Sequence, residues 1–153
     1  MIIFLDVDGV IATKESYEKE EDRLDRRCIA SLNELILGFN RIKIPCNIVI
    51  TSHWRYMFPL KTMQAILEGV GVLAPVIDAT ESNPQDRRRD NEIFAWLEKH
   101  YGGDEWIAID DDKFDMTNLP PDKFIWIEKG FLKGGLTKGI VERFLKMYRH
   151  VRI

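Results

Sequence analysis

Five short runs of β-prone apolar residues, separated by segments of helical periodicity, constrain this chain more than any other feature. They are Ile2 to Val7, Ile48 to Ile50, Leu73 to Ile77, Trp106 to Ile109 and Phe124 to Ile127. Continuous apolar runs of this length, closed by turn residues, read as strands buried on both faces of a parallel sheet. Between them, Cys28, Leu32, Leu35, Ile36 and Phe39 recur at helical spacing and give out near Gly38 and Asn40. Leu60, Met63, Ile66, Leu67 and Val70 make a second stripe, stopped by Gly69 and Gly71. Asp90 is placed to cap a third helix bearing Ile93, Phe94 and Leu97, with Gly102-Gly103 as its stop, and a last helix is expected from about Lys138 to Arg149. The nearly neutral charged stretch from Lys14 to Arg27 reads as a solvated loop running into a helix. Strands alternating with helices predict an α/β chain: a Rossmann-like three-layer sandwich, its five-stranded parallel sheet covered by helices on both faces. With 153 residues and no repeat or linker, residues 1–153 are expected to form one domain.

Composition narrows the function classes. The net charge of −3 supplies no global attraction to nucleic acid or anionic lipid, so any anionic substrate must be held by a local cluster. No apolar run approaches the ~20 residues needed to cross a bilayer, and Met1 to Asp6 lacks a basic, signal-like start. The two cysteines, Cys28 and Cys46, read as small buried hydrophobes in a reducing compartment, which gives a cytoplasmic expectation.

In an open parallel sheet the ligand sits in the crevice at the carboxyl ends of the strands, so polar residues just after each strand should converge. After the first run come Asp6 and Asp8. Thr51 and Ser52 follow the second, and Asp110, Asp111 and Asp112 follow the fourth; Arg87, Arg88 and Arg89 precede the third helix. A single Asp at such a place more often caps a turn, but acids after two different strands, with hydroxyls after a third, exceed that need. Carboxylates gathered this closely repel unless a cation sits among them, and an oxygen-only donor set with few carboxylates selects Mg²⁺. Mg²⁺ beside a free carboxylate, a hydroxyl and a guanidinium is the equipment of phosphoryl transfer.

Phe4-Leu5-Asp6-Val7-Asp8-Gly9-Val10 resembles the first motif of the haloacid dehalogenase (HAD) superfamily. Ile48-Val49-Ile50-Thr51 resembles its second motif, Arg89 (with Arg88 next) its third, and Trp106 to Asp111 its fourth. The resemblance implies an aspartyl-phosphate phosphatase, a phosphomonoesterase with Asp6 as nucleophile and Mg²⁺ ligand. It further implies Asp8 as general acid/base with its carbonyl on the metal, Thr51 holding a phosphoryl oxygen, Arg89 stabilising charge, and Asp111 on the metal with Asp110 in support. Val10 departs from the commoner Thr, and an Arg cluster stands where Lys is more usual. Thr51-Ser52-His53-Trp54-Arg55, Arg89-Asp90-Asn91-Glu92-Ile93 with Trp96-Leu97, Ile109 to Asp112 and Gly135-Leu136-Thr137 are together similar to small bacterial and phage HAD domains associated with RNA repair and polynucleotide phosphatases.

Many HAD enzymes insert a cap domain after the first or third strand. Here the gaps from Ile11 to Asn47 and from Tyr56 to Arg87 hold only core elements, so no cap domain is expected beyond a small flap at Thr13 to Arg23. An open site suits a substrate that supplies its own bulk, such as a nucleic-acid end or a phosphoprotein, although small phosphate esters fit too. Trp54 could stack on a base and Arg55 pair with a phosphate, with Ser52 and Arg88 also in substrate contact; the plainer readings are a core aromatic for Trp54 and a solvated face for Arg87 and Arg88. Lys146, Arg149, His150 and Arg152 read as a match to a helix dipole. The alternatives are a nuclease-type carboxylate site, a phosphoacceptor signalling domain using Asp78 and Lys129, and a catalytically silent Mg²⁺- or phosphate-binding module.

Overall fold

The computed structural model describes residues 1–100 and 102–150, with the backbone of 151–152. Its strands are β1 (Ile2–Leu5), β2 (Asn47–Ile50), β3 (Val76–Ala79), β4 (Trp106–Asp110) and β5 (Phe124–Trp126), all parallel, in the order β3-β2-β1-β4-β5. The helices are α1 (Lys14–Lys19), α2 (Arg26–Arg41), α3 (Trp54–Met57), α4 (Leu60–Gly69), α5 (Arg89–His100) and α6 (Lys138–Arg152). Steps from β1 to β2 to β3 run one way across the sheet and the step from β3 to β4 runs back, so right-handed crossovers put their helices on opposite faces. The core divides accordingly. Ile3, Leu5, Ile48 and Ile50 pack with α2, α4 and α6, whereas Ile2, Phe4, Val49 and Ala108 pack with Ile93 of α5 and Met116. This is the Rossmann-like sandwich the periodicity predicts, and among the described residues no cap domain interrupts it.

Several boundaries differ from the sequence expectation, each for a local reason. The third strand starts at Val76 rather than Leu73 because Pro75 has no N–H for the ladder; its carbonyl instead accepts from Ile48 N–H at 2.8 Å. The stretch from Lys14 to Arg27 is not all loop. Thr13 and Ser16 form a reciprocal capping box that nucleates α1, and Asp25 caps α2 by accepting from Arg27 N–H. Gly38 does not end α2, which continues to Arg41: a Cβ at Gly38 would stand 2.5 Å from Leu145 Cδ1, so this glycine lets α6 approach. Asp90 is not a cap either. It lies inside the first turn of α5, where its carboxylate accepts from Asn91 and Asn118 N–H and pairs with Arg88. Cys28 and Cys46 are free, buried thiols, pushed up to about 12 and about 11 by burial. No helix among the described residues is long and apolar enough to cross a membrane. The Arg152 side chain, part of the expected match to a helix dipole, lies outside the described residues.

Phe39 joins α2 to α6: it is fully buried, with edge-to-face contacts to Phe144 at 6.4 Å and Tyr148 at 5.1 Å. Phe39→Ala is expected to destabilise the fold by about 3–5 kcal/mol, read as a lower urea midpoint at unchanged slope.

Candidate active site

Register aligns the polar residues before any side-chain contact is considered. Leu5 is level with Ile50 on one side and Ile109 on the other, so the next residues, Thr51, Asp6 and Asp110, form one row across three adjacent strands. Asp6 N–H donates to Ile109 O at 3.1 Å and Thr51 N–H to Leu5 O at 3.0 Å, which carries the ladder one step past the strands. Alternation puts the row on the side of Phe4, Val49 and Ala108, the face covered by α5. The row also lies at the sheet's switch point, where connections leave in opposite directions from the neighbouring strands β1 and β4.

Arg89, the first residue of α5, meets this row. Its Nη1 stands 3.1 Å from Asp6 Oδ1 and 2.7 Å from Asp110 Oδ2. Asp110, with no exposed surface, uses its other oxygen to accept from Asp112 N–H at 2.9 Å. Oxygens of Asp6, Asp110 and Asp111 lie within 4.8 Å of one another. Burial, then the charge of Asp110, pushes the Asp6 carboxyl well above the ordinary range against the pull of Arg89. Burial and Asp110 likewise push Asp111 up to about 6. Burial disfavours the Arg89 charge, but Asp6 and Asp110 outweigh it and hold the guanidinium protonated. Three crowded carboxylates with one buried cation and an all-oxygen donor set fit a hard divalent ion such as Mg²⁺.

Two glycines make room for this cluster. Gly9 has φ +84°, and a Cβ there would stand 2.0 Å from Asp111 Oδ2; a Cβ on Gly130 would stand 1.8 Å from the Gly9 carbonyl. The Asp8-Gly9 pair therefore turns the chain and clears the volume Asp111 occupies.

Asp8 has one oxygen already engaged. Its Oδ1 accepts from Tyr17 Oη at 2.5 Å and from Trp54 Nε1 at 3.2 Å. Thr51 is 1% exposed, and its Oγ1 has no hydrogen-bond partner among the described residues. A cleft of about 350 Å³ opens over the cluster, lined by Asp6, Asp8, Ser52, His53, Arg89, Asp111, Asp112 and Phe131.

The structure thus brings Asp6, Asp8, Thr51, Arg89, Asp110 and Asp111 together with Ser52, and withholds three residues the sequence offered for substrate contact. Trp54 is a buried aromatic turned onto Asp8, not a stacking surface in the cleft. Arg55, its side chain 5% exposed, is drawn away by Glu92 at 2.5 Å and by the Thr80 hydroxyl. Arg88 points to Asp90 at 2.8 Å and Thr117 at 2.7 Å rather than into the site. Asp78 sits on edge strand β3 and accepts from Trp96 Nε1 at 2.7 Å, outside the row, so the signalling-domain constellation with Lys129 is not assembled. Sequence reasoning missed Tyr17, His53 and Phe131. Tyr17 and Phe131 carry no motif signal, whereas His53 stands inside the Thr51 to Arg55 stretch of the resemblance but is given no role there.

A family model describing the HAD domain in Swiss Army Knife RNA repair proteins matches residues 2–138. Comparisons with curated proteins and with solved structures returned no match.

An acid whose folded-state pKa exceeds its ordinary value costs stability once ionised. Asp111, raised from 3.8 to about 6, should therefore weaken the metal-free fold as pH rises from about 4 to beyond 6. Asp111→Asn is expected to melt a few degrees higher than wild type in chelator at pH 7, with the two converging below pH 4. Calorimetry across that range checks this, and Mg²⁺ should raise the melting point of wild type more than that of the variant.

Proposed function

This chain belongs to the family of HAD domains in Swiss Army Knife RNA repair proteins, and from that premise we propose that it is a Mg²⁺-dependent phosphomonoesterase acting on phosphorylated nucleic-acid ends through an aspartyl-phosphate. One observation carries the reading: Asp6 shares the buried Arg89 cation with Asp110, in a row where the Thr51 hydroxyl has no partner among the described residues. A buried hydroxyl with no acceptor costs about 1–3 kcal/mol, an arrangement that makes sense if a phosphoryl oxygen completes it.

Asp6, Asp111 and the Asp8 carbonyl would hold Mg²⁺, with Asp110 in support through Arg89. The ion, when bound, neutralises the phosphoryl oxygens and the attacking carboxylate. An Asp6 oxygen attacks phosphorus and the ester P–O bond breaks. Asp8 gives its proton to the departing alkoxide. Asp8, now a carboxylate, takes a proton from water as the water oxygen attacks the same phosphorus. The bond between phosphorus and Asp6 then breaks, releasing inorganic phosphate and restoring both acids. Tyr17 and Trp54 both donate to Asp8 Oδ1, which leaves Oδ2 for the proton transfers. The nucleic-acid end, rather than a small metabolite, is supported by the open cleft and by the RNA-repair setting of the family.

Phosphate release from glycerol phosphate and from oligonucleotides bearing 3′- or 5′-phosphates tests the reading. Activity should require Mg²⁺ and fall at least 10³-fold in Asp6→Asn; activity that survives this change would remove Asp6 from the nucleophile's role. Tyr17→Phe should lower kcat about three- to tenfold with the Mg²⁺ requirement intact, measured by steady-state kinetics.

A further inference from the structure

The turn after Thr51 holds an arrangement that the phosphoryl chemistry does not use. His53 lines the cleft, and its ring lies 5.6 Å from that of Tyr56, tilted by 41°. Tyr56 is 55% exposed. It is also braced from within. The Arg55 guanidinium carbon stands 4.8 Å from the Tyr56 ring centroid, and Arg55 Nη2 donates to Tyr56 Oη at 2.7 Å. That guanidinium is in turn fixed by Glu92 on α5 and by Thr80 after β3. A buried arginine held by two other elements and applied to the ring of an exposed tyrosine gives that ring a fixed orientation before any ligand arrives.

We infer that the Tyr56 ring, edged by His53 at the mouth of the cleft, is a stacking platform for the base of the nucleotide whose phosphate enters the site. This rests on the phosphatase reading of the cleft and adds to it the means by which the rest of the substrate is held. A base presents a planar π-face of the size the ring offers, and stacking accepts any of the four bases. Recognition of the end by stacking would therefore be tolerant of sequence. His53 stands beside the platform, its pKa lowered by burial and by the Arg89 and Arg55 charges. The sequence pointed to Trp54 for stacking and Arg55 for the phosphate; the turn instead exposes the ring two residues past Trp54, with Arg55 bracing it.

The test is a cycle between the base and the ring. Binding of dye-labelled single-stranded RNA octamers with a terminal phosphate, carrying an intact or an abasic terminal nucleotide, is followed by anisotropy in the Asp6→Asn protein with Mg²⁺. The intact end should bind about tenfold tighter than the abasic one. Tyr56→Ala should collapse that ratio to about one, and Tyr56→Phe should keep it within about twofold. Equal binding of the two ends, or a ratio that survives Tyr56→Ala, overturns the platform. Preference for a phosphotyrosine peptide over the octamer overturns it in favour of a phosphoprotein. Because binding is read without turnover, a platform that fails while glycerol phosphate is hydrolysed leaves the phosphatase standing. A base-dependent ratio with no hydrolysis of any substrate would do the reverse.

Discussion

The structure depends on one buried cation. Three carboxylates brought within 4.8 Å at the end of a parallel sheet would force the strands apart if all were charged and unopposed. Arg89 touches two of them from the first residue of α5, with its own side chain 12% exposed. A single guanidinium does not neutralise three acids, and the raised pKa values of Asp6 and Asp111 express the remaining imbalance. That imbalance is a store of affinity for a divalent cation. The three carboxylates could hold such an ion, whose binding would replace repulsion with coordination.

Around this centre, the five residues after Thr51 divide their work by direction. Ser52 faces the cleft and accepts from the Trp54 N–H at 3.2 Å. His53 lines the cleft, Trp54 turns inward to Asp8, Arg55 reaches sideways to Glu92, and Tyr56 is left at the surface. A short helical turn rotates each successive side chain by about 100°, so neighbours in sequence must meet different surroundings. α1 adds Tyr17, whose hydroxyl donates to the same Asp8 oxygen as Trp54 Nε1. The buried Arg55–Glu92 pair ties the turn to α5, the helix that presents Arg89. Removing one partner of such a pair leaves an uncompensated buried charge, so the turn and the cation are held in register with each other.

Much of this was legible in the sequence. Five apolar runs and the helical stripes between them determined a parallel α/β sheet, because continuous burial of a strand on both faces leaves little choice of neighbour. The acids and hydroxyl after β1, β2 and β4 determined where a site would form, since parallel strands in near-equal register bring their carboxyl ends to one row. Asp8-Gly9 was legible as a turn. That Gly9 also clears the space for Asp111, from a strand a hundred residues away in the chain, was not.

Tertiary structure decided what depends on direction rather than position. Which of three adjacent arginines meets Asp6 was set by where α5 starts: Arg89 opens the helix over the row, while Arg88 is taken by Asp90 and Thr117. Whether Trp54 or Tyr56 offers a ring to solvent was set by the rotation of a four-residue turn, and Arg55 was claimed by a glutamate on another element. Strands advertise themselves because their burial is averaged over a whole face. A side chain's role is a matter of one rotamer and one partner, and the partner is supplied by packing between segments that the chain order does not place together.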